Sequence, residues 1–301
     1  MEVEPESRAE PLERVLAQEP LTWDSEKMVI VSRKDREVRK LPKGDFRRER
    51  AYLADHLFAM SSEKSPDPTD KVPRGAWRRL MQLPTDVVLR TTDYQGSIVA
   101  DCVRQSAAWI NASPLGPDQS SVMSIPAMDA WDEFEAANFV ASHGWYRQGR
   151  SCLRVALEVV AQGAGYAAKG ADDDYRKWRD RGGQPDWSKS IGRLKDSGPP
   201  DVMNQVWPIL DRLYGDLCKT VHGAVGHSNS ELWESNGPIW APKAFVLFWL
   251  DYCDTLAACY VLLKLGWRDM GLPKRARVLF EAPSKRWDKC GDTLLREFFA
   301  G

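Results

Sequence analysis

The chain has 301 residues, of which 43% are hydrophobic and 28% charged, and its formal net charge is −1 at pH 7. This is the composition of a globular protein with enough apolar residues for a sizeable core. The balanced charge excludes an overall basic field that would hold nucleic acid non-specifically. Thirteen tryptophans make the chain tryptophan-rich, and this side chain often anchors cores and interfaces.

The N-terminal part predicts a small appendage. Residues 1 to 43 begin as a charged arm, and "KMVIVSRKDREVRKL" then has two short extended runs around a polar turn, which is typical of a β-hairpin. Residues 44 to 301 are predicted to form one helical domain with its core at about 126 to 267. The expected fold is therefore mainly α, an irregular multi-helix bundle with a small N-terminal hairpin.

Helical patterns fill most of the remaining chain. The predicted elements are a helix from 75 to 112 broken near Pro84, a loop from 113 to 126, helices at 127 to 144 and 145 to 170, short helical pieces at 172 to 200, a helix at 201 to 221, a long apolar helix at 244 to 267 and a last helix at 290 to 300. Pro208 should kink the helix at 201 to 221 or mark a late start.

The apolar stretch from 244 to 267 approaches the length of a membrane helix. Asp251 and Asp254 fall near its middle, where charge is expensive in lipid. We therefore expect a buried central helix and no membrane. The two carboxylates need partners if they are buried, and nearby arginines or histidines are the obvious candidates. They form either a structural ion pair or a polar notch that belongs to a site.

Cysteine usage and the N-terminal sequence bear on the compartment. The six cysteines include no CxxC pair, and no His or Cys cluster has zinc spacing, so no metal is expected. Most cysteines lie in apolar helical stretches, and the acidic start "MEVEPESRAEPLERVLAQEP" is not a secretory signal, which favours a cytoplasmic location. P-loop, GxGxxG, HExxH and GxSxG motifs are absent, so no cofactor is expected either.

Three arginines form a stripe on the helix that starts near residue 145. Arg147, Arg150 and Arg154 lie opposite an apolar face that includes Val155, and Arg154 can pair with Glu158 one turn later. One interpretation is a solvated face with surface ion pairs. The other is a ligand-binding stripe that faces a cleft, since the planar guanidinium binds phosphate or carboxylate bidentately. The basic segment near "PKRAR", including Arg286, is similarly interpreted as a solvated tail or as a phosphate contact.

The stretch "KTVHGAVGHSNSELWESNGPIW" holds two of the four histidines. His222 ends a helical pattern before a glycine, which suits a helix C-terminus as well as a site. His227 lies in a turn-rich run, and Asn236 follows in "WESNGP". We take His222, His227 and Asp254 as candidate catalytic residues. The candidate ligand-binding residues are Arg147, Arg150, Arg154 and Asn236.

Three pieces, taken in order, carry a resemblance: "GWYRQGRSCLRVALEVV", "YRKWRDRG", and "LYGDLCKTVHG" followed by "WESNGP". Over about residues 130 to 266 the chain resembles the HEPN-like helical proteins, many of which belong to bacterial toxin–antitoxin or phage-defence systems. In that group a helix with an "LRxxLE"-type pattern packs beside a helix that ends in a "VHG"-like sequence. The resemblance implies a helical fold and a role in defence, with RNA as the substrate of active members.

The resemblance does not extend to the ribonuclease motif. Active HEPN ribonucleases carry an arginine, four to six residues and then a histidine, but the nearest arginine before His222 is Arg212, which is too far away. Arg50 and His56 have the required spacing, although they lie outside the resembling region. Residues six apart do not share one face of a helix, which favours a chance match.

Two functional hypotheses follow. The first is a non-catalytic or weakly catalytic interaction protein, such as a subunit or sensor in a bacterial defence-type system, with a protein partner or a second copy bound. The missing catalytic motifs, the tryptophans and the balanced charge favour it. The alternative is a HEPN-like enzyme directed at RNA or a nucleotide, in which His222 acts with Arg150 and Arg154.

Overall fold

The computed structural model describes residues 22–24, 29–31, 38–40, 74–113, 121–221, 238–281 and 284–299. The chain divides into two compact units, Met1–Leu80 and Met81–Gly301. The predicted boundary between residues 43 and 44 stays a prediction.

Three short strands are described in the first unit. They are β1, Thr22–Asp24, β2, Val29–Val31, and β3, Val38–Lys40. Trp23 lies opposite Ile30, and Ile30 lies opposite Arg39, in antiparallel pairs. Strands β2 and β3 fall within the stretch interpreted as a hairpin. The turns between the strands lie outside the described residues, so the packed hairpin appendage stays a prediction.

Helices make up most of the described residues, which confirms the mainly α prediction. They are α1 (Arg74–Ala112), α2 (Ser121–Ser142), α3 (Tyr146–Ala167), α4 (Asp172–Asp180), α5 (Trp187–Leu194), α6 (Pro200–Val221), α7 (Pro242–Gly266), α8 (Arg277–Phe280) and α9 (Gly291–Thr293). A 3₁₀ turn at Lys274–Ala276 precedes α8, and a π-helical turn at Leu294–Phe298 continues α9.

Several predicted boundaries are wrong. The backbone of α1 leaves helical geometry at Gln95, not at Pro84, and the Gln95 amide nitrogen donates to the carbonyl oxygen of Pro242 at 2.9 Å. This contact across 147 residues is invisible to a local pattern. The loop expected up to residue 126 is already helical from Ser121. The late start of α6 is also wrong, because the helix begins at Pro200.

The core of the second unit forms where α2, α3 and α7 pack together. Phe134 of α2 lies edge-on to Tyr252 of α7, with ring centroids 5.5 Å apart. Trp109 of α1 joins them, since its indole nitrogen donates to the carbonyl oxygen of Ala127 and its ring meets Tyr260. The core therefore includes residues before the predicted range of 126 to 267.

The C-terminal segment also belongs to this core. Phe280 and Trp287 are nearly fully buried and pack edge-on with ring centroids 5.6 Å apart. Lys264 near the end of α7 is buried as well, and its ammonium donates to the carbonyl oxygen of Met270 at 2.9 Å. The chain after α7 thus contributes apolar side chains to the core, and α8 and Met270 contact α7.

Helix α7 is the one helix, within the part of the chain that the structure describes, with the length and composition to cross a membrane. Of its most apolar 18-residue window, 72% is buried inside the protein. Burial of this extent is typical of the core helix of a globular domain.

Candidate functional site

A cleft of about 770 Å³ opens between α3, α6, α7 and the segment at 284 to 286. It contains several of the side chains that the sequence singles out. Its charged lining residues are Arg150, Asp211, Arg212, Asp216, Lys219, Asp251, Asp254 and Arg286. We call this region the charge-balanced cleft, because four basic and four acidic side chains line it.

Arg150 and Asp251 form an ion pair between α3 and α7. The Nε of Arg150 donates to Oδ2 of Asp251 at 2.6 Å, and the arginine side chain is only 6% exposed. Helix α3 places Arg150 toward α7 because Gly149 lets the two helices approach: a Cβ there would lie 2.9 Å from the Phe248 ring. The pair joins two adjacent core helices across 101 residues of sequence.

Asp254, one turn further along α7, is bound by the C-terminal segment. The Ser284 hydroxyl donates to its Oδ1 at 2.6 Å, and the Arg286 Nε donates to its Oδ2 at 2.9 Å. Burial raises the pKa of Asp254, the negative charge of Asp251 adds to the increase, and the bonds from Ser284 and Arg286 oppose it. The carboxylate is therefore held in place while its ionised form is disfavoured by desolvation.

Arg286 connects Asp254 to a second carboxylate on α6. Its Nη1 and Nη2 lie 3.4 and 3.5 Å from Oδ2 of Asp216. The other oxygen of this carboxylate, Oδ1, accepts from the Lys219 ammonium at 3.2 Å. The two α7 carboxylates, the partly exposed Asp251 and the buried Asp254, thus have the arginine partners that their position on α7 predicts. The partner Arg286 was missed as a site residue, because it lies in a segment interpreted as a solvated tail.

The other two arginines of the α3 stripe are engaged elsewhere. Arg147 donates from Nη2 to the carbonyl oxygen of Val221 at 2.6 Å. Arg154 pairs with Glu158 at 2.9 Å, as the spacing predicts, and Tyr214 donates to the same carboxylate at 2.8 Å. Burial, followed by the bond to Glu158, raises the pKa of Tyr214.

The solvated-face interpretation of this stripe is wrong for Arg150. Arg150 is 5% exposed, whereas Val155, which was expected on the apolar face, is 37% exposed. The reason is that α3 packs against α2, α5, α6 and α7, so nearly its whole circumference is covered. Helical periodicity predicts which residues share a face of a helix. It does not predict that an arginine on the polar face will pair with a carboxylate of a distant helix.

His222, His227 and Asn236 lie outside the described residues, and so do Arg50 and His56. Of the remaining candidates, Arg150 and Asp254 line one cleft, while Arg147 and Arg154 do not line it. The last described residue before His222 in the sequence is Val221, and its carbonyl oxygen accepts a hydrogen bond from Arg147.

The lining of the cleft is typical of a polar binding surface with internal ion pairs. Among the residues that the structure describes, no group of three or more His, Cys, Asp or Glu side chains is placed to hold a metal ion. No family model, curated protein or solved structure matches this chain.

Proposed function

We propose that this chain is a non-catalytic helical interaction protein, acting as a subunit or sensor in a bacterial defence-type system. One observation carries the proposal: the candidate catalytic and phosphate-binding side chains of α3 and α7 are held by internal partners. Arg150 binds Asp251, Arg154 binds Glu158, and Asp254 binds Ser284 and Arg286. An arginine paired with a buried carboxylate must lose that partner before it can bind a phosphate, and the loss leaves a buried charge uncompensated.

Exposed aromatic side chains support a role in binding another protein. Tyr94 on α1 is 74% exposed and Phe139 on α2 is 64% exposed, the two largest exposures among the described large apolar residues. Aromatic residues are enriched at interfaces, where they supply much of the binding energy. The net charge of −1 brings little repulsion between copies, so a second copy of this chain is the first partner to test.

Sedimentation velocity over a series of concentrations tests this proposal. We expect self-association of the wild type that Phe139→Ser weakens, whereas Val278→Ser, at an exposed apolar residue of α8, leaves it unchanged. A monomer at every concentration, together with no protein captured in pull-downs from the source cells, would contradict the interaction function.

A second candidate function is that of a HEPN-like enzyme directed at RNA or a nucleotide. The observation that favours it is the bond from Arg147 to Val221, the residue directly before His222 in the sequence. In this alternative His222 acts as acid or base, and Arg150 and Arg154 exchange their carboxylate partners for phosphate.

Incubation of the purified protein with mixed RNA distinguishes the two functions. The enzyme would cleave RNA, and His222→Ala would abolish cleavage while His143→Ala, at a described histidine of the α2–α3 turn, would not. Equal cleavage by the wild type and His222→Ala, or none by either, would rule out the catalytic alternative.

A further inference from the structure

A second cleft, of about 810 Å³, lies where the end of α3 meets α4 and α5. It shares no lining residue with the charge-balanced cleft. Its lining is strongly basic, with Lys169, Lys177, Arg181 and Arg193 against the single acidic residue Asp174. We call it the basic cleft. A cleft that is lined by one sign of charge and has walls of low dielectric constant concentrates ions of the opposite sign. This cleft therefore favours an anion.

Arg193 of α5 is the central cation of the basic cleft. Its guanidinium carbon lies 4.2 Å from the centroid of the Tyr166 ring, a cation–π contact that holds the side chain in one orientation. Among the described residues its Nη1 has no hydrogen-bond partner and is closed to solvent. The residue as a whole is only partly buried and lines the cleft, so an anionic oxygen can approach the rest of the guanidinium.

Among the residues that the structure describes, no carboxylate pairs with Arg193 in the way that Asp251 pairs with Arg150. Asp186 attracts Arg193 without forming an ion pair with it, and binds the backbone and side chain of Lys189 instead. Asp174 pairs weakly with Lys177 at 3.8 Å, with both side chains well exposed. The basic cleft therefore keeps most of its positive charge available for a ligand.

An aromatic wall completes the cleft. Trp178 is half-buried, with its ring centroid 6.2 Å from that of Tyr166 and 5.7 Å from that of Tyr175. Gly183 approaches the other edge so closely that a Cβ there would lie 2.2 Å from the indole nitrogen. The indole ring is thus fixed beside the cations, since Tyr166 contacts both Trp178 and Arg193.

We propose that the basic cleft binds a nucleoside phosphate, with the phosphate on Arg193 and the surrounding basic side chains and the base against Trp178. A planar guanidinium binds phosphate oxygens bidentately, and bases stack on aromatic side chains irrespective of their sequence. The nucleoside phosphate is either a free nucleotide or one unit of a single-stranded RNA. Nucleoside phosphate binding in the basic cleft is independent of both functions proposed above, since it requires neither self-association nor the histidines in residues 222 to 237.

Isothermal titration calorimetry on the full chain tests the proposal with four ligands: 5′-AMP, adenosine, inorganic phosphate and a short adenine-only RNA. We expect 5′-AMP or the RNA to bind, and adenosine and phosphate to bind at least about tenfold more weakly, because each lacks one of the two contacts. Tighter binding of the RNA identifies a strand as the ligand, and equal or tighter binding of 5′-AMP identifies the free nucleotide.

Arg193→Gln should weaken binding about tenfold or more, since it removes a charge-assisted hydrogen bond. Arg176→Gln is the matched control, because Arg176 lies on α4 but does not line the cleft. Should Arg193→Gln fail to fold, the double variant Lys177→Gln/Arg181→Gln changes only exposed side chains and should also weaken binding. No binding of 5′-AMP or RNA, phosphate binding as tight as 5′-AMP, or unchanged binding by Arg193→Gln would each overturn the proposal.

Discussion

Arg286 and Asp254 form an ion pair of 2.9 Å across 32 residues, and it ties the C-terminal segment to the central helix α7. The two partners are unequally placed, because the carboxylate side chain is 2% exposed and the arginine side chain is 20% exposed. Arg286 also has Asp216 within 3.5 Å, whereas Arg286 is the one cation within 4 Å of the Asp254 carboxylate in the part of the chain that the structure describes. Loss of one partner should therefore have a different effect from loss of the other.

Arg286→Gln should destabilise the protein much more than Asp254→Asn. The first change leaves a buried carboxylate without its cation, which costs about 3 kcal/mol in comparable buried pairs. The second leaves a neutral amide that can still accept from Ser284, while Arg286 keeps Asp216, so we expect a loss of about 1 kcal/mol or less. Urea denaturation of both variants at neutral pH measures the two free energies of unfolding.

A surface pair provides the control for this asymmetry. Arg296 and Asp292 lie 4.0 Å apart with side chains 76% and 87% exposed, so Arg296→Gln should change the free energy of unfolding by about 0.5 kcal/mol or less. An equal loss in Arg286→Gln and Asp254→Asn would show that the two partners depend on each other equally, contrary to the geometry.

The raised pKa of Asp254 also predicts a pH dependence. Its folded pKa lies above the ordinary value of 3.8 because of burial and the charge of Asp251, against the opposing effect of Arg286. The protonated form is therefore favoured by folding: the stabilisation is complete below pH 3.8 and is lost as pH rises through the folded pKa. Asn at this position cannot titrate.

The free energy of unfolding of the wild type minus that of Asp254→Asn should thus fall as pH rises from 3.8 through the folded pKa. Denaturation curves for both proteins at closely spaced pH values measure this difference, and all other titrating groups cancel to first order. A difference that rises with pH would mean that Arg286 outweighs desolvation.

Local sequence patterns are sufficient to predict the order of the helices in the second unit but not the residues at which the helices begin, end or kink. The break between α2 and α3 at Gly144 and the short helices α4 and α5 are predicted from glycine, proline and polar runs, and the structure confirms them. The kink of α1 at Gln95 is not predicted, because its side chain bonds to Pro242 across the fold. Contacts between distant segments leave no periodic signal.

The same limit applies to the candidate site. Charge on an apolar helix correctly marks Asp251 and Asp254 as residues that need partners, and the arginine stripe contains one of those partners, Arg150. The other, Arg286, lies in a basic segment that resembles any solvated tail until the fold brings it to α7. Arg193 and Trp178 of the basic cleft are equally inconspicuous, since they come from different helices.

Thiol reactivity should follow the burial of the cysteines. Cys102, Cys253, Cys259 and Cys290 are buried, and Cys152 and Cys218 are half-buried. Burial and the charge of Glu133 raise the pKa of Cys152 to about 12, so its reactive thiolate is scarce at pH 8. Ellman's reagent should detect at most two of the six thiols in the native protein and all six after unfolding.

Cys218→Ser should remove the fastest phase of that reaction, whereas Cys259→Ser should change only the total after unfolding. Rapid modification of Cys259, which is 0% exposed, would require the core around α7 to open on the time scale of the assay.

Gly144 should be the glycine most sensitive to substitution at a helix junction. Its φ is +83°, in the left-handed region, and a Cβ would lie 2.4 Å from the carbonyl oxygen of Ile239. Gly144→Ala therefore combines backbone strain with a collision against backbone that no rotamer change can relieve. We expect a loss of about 3 kcal/mol or more in the free energy of unfolding, measured by urea denaturation.

Gly170 after α3 is the matched control, because its φ is +61° and a Cβ would have no atom within 4 Å. Gly170→Ala should thus show the backbone strain alone, about 1 kcal/mol. The excess of Gly144→Ala over Gly170→Ala measures how rigidly residue 239 is held against the α2–α3 turn. If the two variants lose the same stability, Ile239 must move away at little cost, and the start of α7 is less firmly fixed than its bond from Gln95 implies.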